Sequence, residues 1–114
     1  MNWDRYQEAV ILEESGKLED ALSKLLSLID TSKDPVDNYL VLIGIASCLR
    51  KLAQYDEARG FVAKAYAVLD ETNPYYPSVM FVDASIEQEL KNWNQALTKL
   101  DLIIERYPNV LHGP

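Results

Sequence analysis

The chain has 114 residues and a formal net charge of −7, from 11 basic and 18 acidic side chains. Hydrophobic residues make up 48% and charged residues 25%, which excludes a disordered or collagen-like chain. This length predicts one domain. The acidic balance argues against nucleic acid and anionic membranes as partners, because binding to either requires a basic surface.

Few residues are suited to metal, disulfide or catalytic chemistry. The single cysteine, Cys48, cannot form an internal disulfide, and the single histidine, His112, cannot supply a metal-binding cluster. Phosphate-binding loops, zinc-protease motifs and EF-hand loops are missing, so we predict no enzyme activity, no metal and no cofactor. The sequence has no signal peptide, and its longest apolar stretch, residues 39–48, is too short to span a membrane. A cytoplasmic protein is expected.

Apolar residues recur at the spacings i, i+3, i+4 and i+7, which predicts an all-α fold. In chain order, the predicted helices span residues 2–14, 18–31, 35–52, 55–71, 75–91 and 93–106. The third begins at Asp34-Pro35, because Asp caps the first N–H groups and Pro suits the first turn. Pro108 is expected to stop the sixth helix.

Alanine recurs with a period that indicates internal repetition. Two sets of alanines have spacings of 37 and 38 residues: Ala9, Ala46 and Ala84, and Ala21, Ala58 and Ala96. We assign these alanines to packing, because a small residue on each helix of a pair lets the backbones approach closely. Leu18, Tyr55 and Trp93, each three residues before an alanine, are expected to wedge against the first helix of their pair.

A helix pair cannot bury both of its faces alone, so repeated pairs are expected to stack. The predicted units span residues 2–34, 35–73 and 74–108. They form a single domain over residues 1–109, followed by a C-terminal tail of residues 110–114. The alternative is three unrelated helical hairpins that carry alanine where their helices cross.

The units resemble the tetratricopeptide repeat family, whose pattern is W-x2-L-G-x2-Y, then A-x3-F, then P. The matching residues of the second unit are Leu42, Ile45, Ala46, Leu49, Ala58, Val62 and Pro74. The units depart from the pattern where Ala replaces Gly and where Glu8, Asp83 and Glu87 replace apolar residues. The resemblance covers nearly the whole chain and implies an α-solenoid of three antiparallel helix pairs in a right-handed superhelix.

The resemblance also implies a concave groove, formed by the first helix of each pair, that holds a partner peptide or helix. The groove positions carried over to this chain are Trp3, Tyr6, Val10 and Glu13, then Leu40, Ile43, Ser47 and Arg50, then Ser78, Phe81, Ser85 and Gln88. Their aromatic and apolar members would anchor an apolar segment of the partner. The alternatives are that these residues pack internally or that another part of a longer protein covers them.

Family members that bind the acidic tails of chaperones use a clamp of Lys, Asn and Arg side chains. The matching positions of this chain hold Tyr6, Val10, Gly44, Ser78 and Val82. None of these side chains is cationic, so the binding of acidic chaperone tails is not expected.

Several other residues have structural explanations. The acid pairs Glu13-Glu14, Glu19-Asp20 and Asp56-Glu57 are expected at solvated helix ends rather than in a catalytic site. Cys48 is expected in the core. Tyr75-Tyr76 is expected to plug the junction between the second and third units, the alternative being an exposed aromatic contact.

The leading functional hypothesis is a non-catalytic adaptor or scaffold that binds a protein segment. The alternative is a homo-oligomerisation module that uses the sixth helix. Arrays of this kind usually end in a polar capping helix, and none is expected after residue 106. Apolar residues of the sixth helix would then face water in part, and such surfaces usually mark a contact.

Overall fold

The computed structural model describes residues 1–109, which form six α-helices and no strand. The helices are α1 (Trp3–Glu14), α2 (Leu18–Leu26), α3 (Pro35–Lys51), α4 (Tyr55–Val68), α5 (Tyr76–Glu89) and α6 (Trp93–Arg106). The all-α prediction is confirmed. The predicted tail, residues 110–114 with His112, lies outside the described residues.

Two helices end earlier than the spacing predicts. Helix α2 stops at Leu26, where the Ser27 hydroxyl donates to the Lys24 carbonyl at 2.6 Å and the chain enters a turn. Leu28 lies beyond the helix but is 3% exposed, so the apolar pattern continues after the helical backbone has ended. Helix α4 stops at Val68, because Leu69 is extended, with φ −111° and ψ 143°.

Side chains cap the starts of two first helices. The Asp34 carboxylate accepts hydrogen bonds from the backbone N–H groups of Val36 at 2.8 Å and Asp37 at 3.4 Å. Asn2 caps α1 by accepting from the Arg5 N–H at 3.1 Å. These contacts satisfy donors that have no partner within the helix. The predicted start of α3 at Asp34-Pro35 is confirmed.

The three helix hairpins turn with the same backbone geometry. A residue with positive φ follows the first helix in each unit: Gly16 at 81°, Ala53 at 61° and Lys91 at 64°. The next N–H then donates to a carbonyl five residues back: Lys17 to Leu12 at 2.9 Å, Gln54 to Leu49 at 2.9 Å, and Asn92 to Glu87 at 2.8 Å. This pattern is the Schellman motif of helix ends. The period of 37 and 38 residues is therefore also present in the backbone.

The helices pack as the hairpins α1–α2, α3–α4 and α5–α6, and the hairpins stack because α2 contacts α3 and α4 contacts α5. All six period-defining alanines are buried, at 0 to 4% exposure. Leu18 and Tyr55 are half-buried. The expectation that Trp93 wedges against the first helix of its pair is wrong, because Trp93 is 55% exposed. Helix α6 is buried at Ala96 and Ile103 and turns its Trp93 side outward.

Candidate protein-binding surface

The first helices of the three units lie side by side, because α3 contacts both α1 and α5. We call the predicted binding residues on these helices the first-helix groove. They are Trp3, Tyr6, Val10, Leu40, Ile43, Ser47, Arg50, Phe81 and Ser85. Apart from Trp3, which is 48% exposed, these residues are half-buried. The groove residues therefore combine partial contact with the fold and partial access to solvent.

The apolar groove residues differ in how firmly the fold holds them. Tyr6, Leu40 and Ile43 pack against the hydrophobic core. The Trp3 ring meets the Tyr6 ring edge-on, with 5.8 Å between centroids and an interplanar angle of 87°. Burial raises the pKa of the Tyr6 hydroxyl, and Tyr39 and Glu13 raise it further. The Tyr6 hydroxyl therefore stays neutral and offers a hydrogen-bonding edge beside an apolar ring.

The polar groove residues already have partners within the protein. Ser47 Oγ donates to Glu13 Oε2 at 2.9 Å, which joins α3 to α1. Arg50 Nη1 pairs with Glu89 Oε1 at 2.6 Å, which joins α3 to α5. Ser85 Oγ donates to the backbone carbonyl of Phe81 at 2.9 Å. These bonds hold neighbouring first helices together.

Glu13 links two side chains of α3. Its Oε2 accepts from Ser47 and also from Lys51 Nζ, at 2.8 Å. Cys48 lies beside them, fully buried, and burial together with the nearby Glu13 raises the pKa of its thiol to about 12. A neutral buried thiol is a poor nucleophile. The expectation that Cys48 is a core residue is confirmed by its burial.

The positions of the chaperone-tail clamp carry no cation in the structure. Tyr6, Val10 and Val82 are half-buried, and Ser78 is exposed. Gly44 lies against α2, where an added Cβ would sit 3.1 Å from Leu25 Cδ1. Helix α2 therefore closes over the Gly44 position of α3.

Sequence reasoning missed a polar cluster between the second and third units. Glu87 is 6% exposed, and its Oε1 accepts from Arg59 Nε at 3.1 Å and from Nη2 at 2.7 Å, while its Oε2 accepts from Asn92 Nδ2 at 2.8 Å. Burial raises the pKa of Glu87, but the bonds from Asn92 and Arg59 outweigh it, and the net shift is downward. Glu87 is therefore charged at neutral pH.

Asp83, one turn earlier on α5, is also joined to both neighbouring helices. It accepts from the Tyr66 hydroxyl of α4 at 2.7 Å and lies 3.2 Å from Lys99 Nζ of α6. Burial, and then the bond to Asp83, raise the pKa of Tyr66. The acids that interrupted the apolar pattern of α5 thus form the contacts between units. The local sequence could not show this, because Arg59 lies 28 residues from Glu87.

Tyr75 and Tyr76 both contact the second unit, as the plug interpretation predicts. Tyr75 stacks on Tyr39, with 5.6 Å between ring centroids. Tyr76 lies 5.4 Å from the Tyr66 ring and 6.4 Å from the Tyr107 ring. Tyr75 remains 49% exposed, so it also presents an aromatic face to solvent.

Residues 1–109 contain no cluster of three or more histidine, cysteine or acidic side chains placed to hold a metal ion. Within the same span, none of the helices has the length and apolar character needed to cross a membrane.

Comparison with known protein families supports the repeat assignment. Residues 84–109, which run from the middle of α5 to beyond α6, match the tetratricopeptide repeat family model. With its six helices paired as stacked hairpins, the chain belongs to the tetratricopeptide repeat family. No curated protein and no solved structure matches the chain.

The family assignment indicates a protein–protein interaction module in general terms. Members of this family are typically non-catalytic and generally bind protein partners. The resemblance drawn from the sequence is confirmed at this level.

Proposed function

We propose that this chain is a non-catalytic adaptor or scaffold that holds an apolar segment of a partner protein in the first-helix groove. One observation carries the proposal: Tyr6, Ile43 and Phe81 occupy equivalent positions, 37 and 38 residues apart, on adjacent helices. All three are half-buried. Such a row crosses the helices and offers anchoring sites to an extended peptide or to a helix.

Apolar anchors, rather than charges, would provide the affinity. Ser47, Arg50 and Ser85 form hydrogen bonds within the fold, so a partner would have to compete with existing bonds to use them. Partly exposed aromatic and aliphatic side chains need no such exchange, and aromatic residues dominate binding energy at interfaces. We propose that the polar groove residues fix the spacing of the helices while the apolar ones contact the partner.

The charge of the chain narrows the class of partner. A net charge of −7 and a groove without a clamp of cations disfavour an acidic segment. A neutral or basic segment with two or three large apolar residues would suit the groove best. We place such an adaptor in the cytoplasm, where its single buried cysteine stays reduced.

The proposal can be tested with peptides selected from a random library displayed on phage. We expect the wild-type protein to enrich peptides that carry aromatic or aliphatic anchors. The double variant Ile43→Ala, Phe81→Ala should bind the selected peptides at least ten-fold more weakly, since lost anchors typically cost more than about 1.4 kcal/mol. Circular dichroism should show that helix content is retained.

Two exposed apolar residues outside the groove provide the control. Ile11 is 60% exposed and Leu26 is 44% exposed. The variant Ile11→Ala, Leu26→Ala removes similar apolar surface and should bind the selected peptides as the wild type does. Equal weakening in both variants, or none in the groove variant, would contradict binding in the first-helix groove.

A further inference from the structure

Helix α6 carries an uncovered apolar stripe on a face that the other second helices bury. Its residues are Trp93, Leu97, Leu100 and Ile104, and we call them the α6 stripe. Trp93 is 55% exposed, Leu97 58% and Ile104 52%, and Leu100 is half-buried. They account for three of the seven large hydrophobic residues with exposed side chains, all on one helix.

The repeat identifies what this face does in the first unit. The α2 residues equivalent to Leu97, Leu100 and Ile104 are Leu22, Leu25 and Ile29. Leu25 is 2% exposed and lies against Gly44 of α3, with Leu22 and Ile29 packed beside it on the core. On α2 this face is therefore covered by the next helix of the stack.

The second unit uses the same face in the same way. The equivalent α4 residues are Arg59, Val62 and Tyr66. Arg59 bonds to Glu87 of α5, Tyr66 bonds to Asp83 of α5, and Val62 is 3% exposed. The face is polar on α4 because it meets two acids, whereas on α6 it is apolar at every position. The partner of the α6 stripe must therefore be apolar.

We propose that the α6 stripe is the contact through which two copies of this chain associate, with the two α6 helices antiparallel. The spacing of the stripe is the first argument. Its intervals are 4, 3 and 4 residues, which read the same in both directions along the helix. In an antiparallel pair, Leu97 therefore meets Leu100 of the second copy, and Trp93 meets Ile104, twice each. These are the spacings of a coiled-coil seam.

The polar residues beside the stripe support the same orientation. Asn94 and Asp101 flank it on one side and are both exposed. The antiparallel register that pairs Leu97 with Leu100 also places Asn94 opposite Asp101 of the second copy, where the amide can donate to the carboxylate. The opposed helix dipoles are favourable in this arrangement too. A two-fold contact of this kind closes on itself and gives dimers rather than filaments.

The size and charge of the contact define its strength. A contact through one helix face is small among specific interfaces, so we expect a dissociation constant of about 10–100 μM. Each copy carries a net charge of −7, so the copies repel one another at low salt. Association should therefore strengthen as salt is added, whereas a contact held by ion pairs would weaken.

Sedimentation over a concentration series tests the proposal directly. We expect the wild-type protein to pass from monomer to dimer across the range above, and Leu97→Glu to stay monomeric. The matched control is Ile11→Glu, which places the same charge on an exposed apolar site of α1, and it should dimerise normally. A wild-type monomer throughout, assembly beyond dimers, or equal loss in both variants overturns the proposal.

Cross-linking tests the orientation. The variants Leu97→Cys and Leu100→Cys should form a disulfide when mixed and form it poorly when each is oxidised alone. The buried Cys48 thiol should not contribute. Efficient linking within Leu97→Cys alone overturns the antiparallel arrangement. Groove binding uses other helices, so selected peptides should bind Leu97→Glu normally, and failure of either proposal is seen separately.

Discussion

Arg59 of α4 and Glu87 of α5 form a forked contact in which Nε and Nη2 both donate to Oε1, at 3.1 and 2.7 Å. Glu87 is nearly buried at 6% exposure, while the Arg59 side chain keeps 41% of its surface in solvent. The contact joins two repeats at a position where the family pattern has an aromatic residue. The charge is tolerated there because Asn92 satisfies the second carboxylate oxygen.

Glu87→Gln should destabilise the fold by about 1–2 kcal/mol, because it weakens a hydrogen-bonded ion pair whose arginine remains partly solvated. Glu89→Gln is the matched control, since Glu89 pairs with Arg50 but keeps 35% of its side chain exposed. We expect the control to cost less than about 1 kcal/mol. Urea unfolding followed by circular dichroism measures both, and an equal cost would show that burial of Glu87 adds nothing.

The pH dependence of the same residue follows from the sign of its shift. The pKa of Glu87 in the fold is lowered from its ordinary value of 4.5. Its contribution is therefore complete above that value and is lost as the pH falls through the lower folded value. The stability difference between wild type and Glu87→Gln should be largest near pH 7 and narrow towards about pH 3. A difference that stays constant over that range would contradict this assignment.

The positive-φ turns predict substitutions of opposite sign. Lys91 has φ 64° and Gly16 has φ 81° at equivalent turns. Gly16→Ala should destabilise by about 1 kcal/mol, because a Cβ is disfavoured in this conformation. Lys91→Gly should relieve the same strain and stabilise by about 0.5 kcal/mol. Thermal unfolding of the two variants measures both effects, and a loss in both would mean that the turn does not set the outcome.

The helical glycine Gly60 predicts a gain. An added Cβ there would meet no atom within 4 Å. Since Ala has a higher helix propensity, Gly60→Ala should stabilise by about 0.5–1 kcal/mol. Gly44→Ala is a useful comparison, because its Cβ would lie 3.1 Å from Leu25 Cδ1. It should gain less than Gly60→Ala in the same unfolding experiment, and an equal gain would show that Leu25 moves aside freely.

The buried alanines predict a steric cost. Ala58 is fully buried, whereas Ala63 on the same helix is exposed. Ala58→Leu should destabilise by about 1–3 kcal/mol through overpacking, while Ala63→Leu should be close to neutral. Denaturant midpoints decide between them. If Ala58→Leu proved neutral, the helices of the hairpin would not approach as closely as the repeat pattern implies.

Periodicity predicted the helices and their pairing because both depend on local spacing. Ala21, Ala58 and Ala96 mark the same buried crossing in each unit, and their regular recurrence is visible in the sequence alone. The end of α2 was less accessible: Leu28 keeps the helical spacing but is buried from a turn. Apolar periodicity reports burial, and it reports helix only where the backbone continues.

The contacts between units were beyond this reasoning for another reason. Asp83 and Tyr66 are 17 residues apart, and nothing in either local sequence indicates that they are partners. The exposure of Trp93 was missed because its position in the unit matches that of half-buried Tyr55. Equivalent positions share a backbone place but not a neighbour. The groove assignment carries the same dependence and stays a prediction.

The two junctions of the stack should respond differently to temperature. Among the described residues, no side-chain hydrogen bond joins α2 to α3, whereas α4 and α5 are joined by Arg59–Glu87 and Tyr66–Asp83. Apolar contacts weaken on cooling, while the desolvation cost of ion pairs falls on heating. The protein therefore has one joint that loosens in the cold and one that tolerates warmth, so its curvature in solution should vary with temperature.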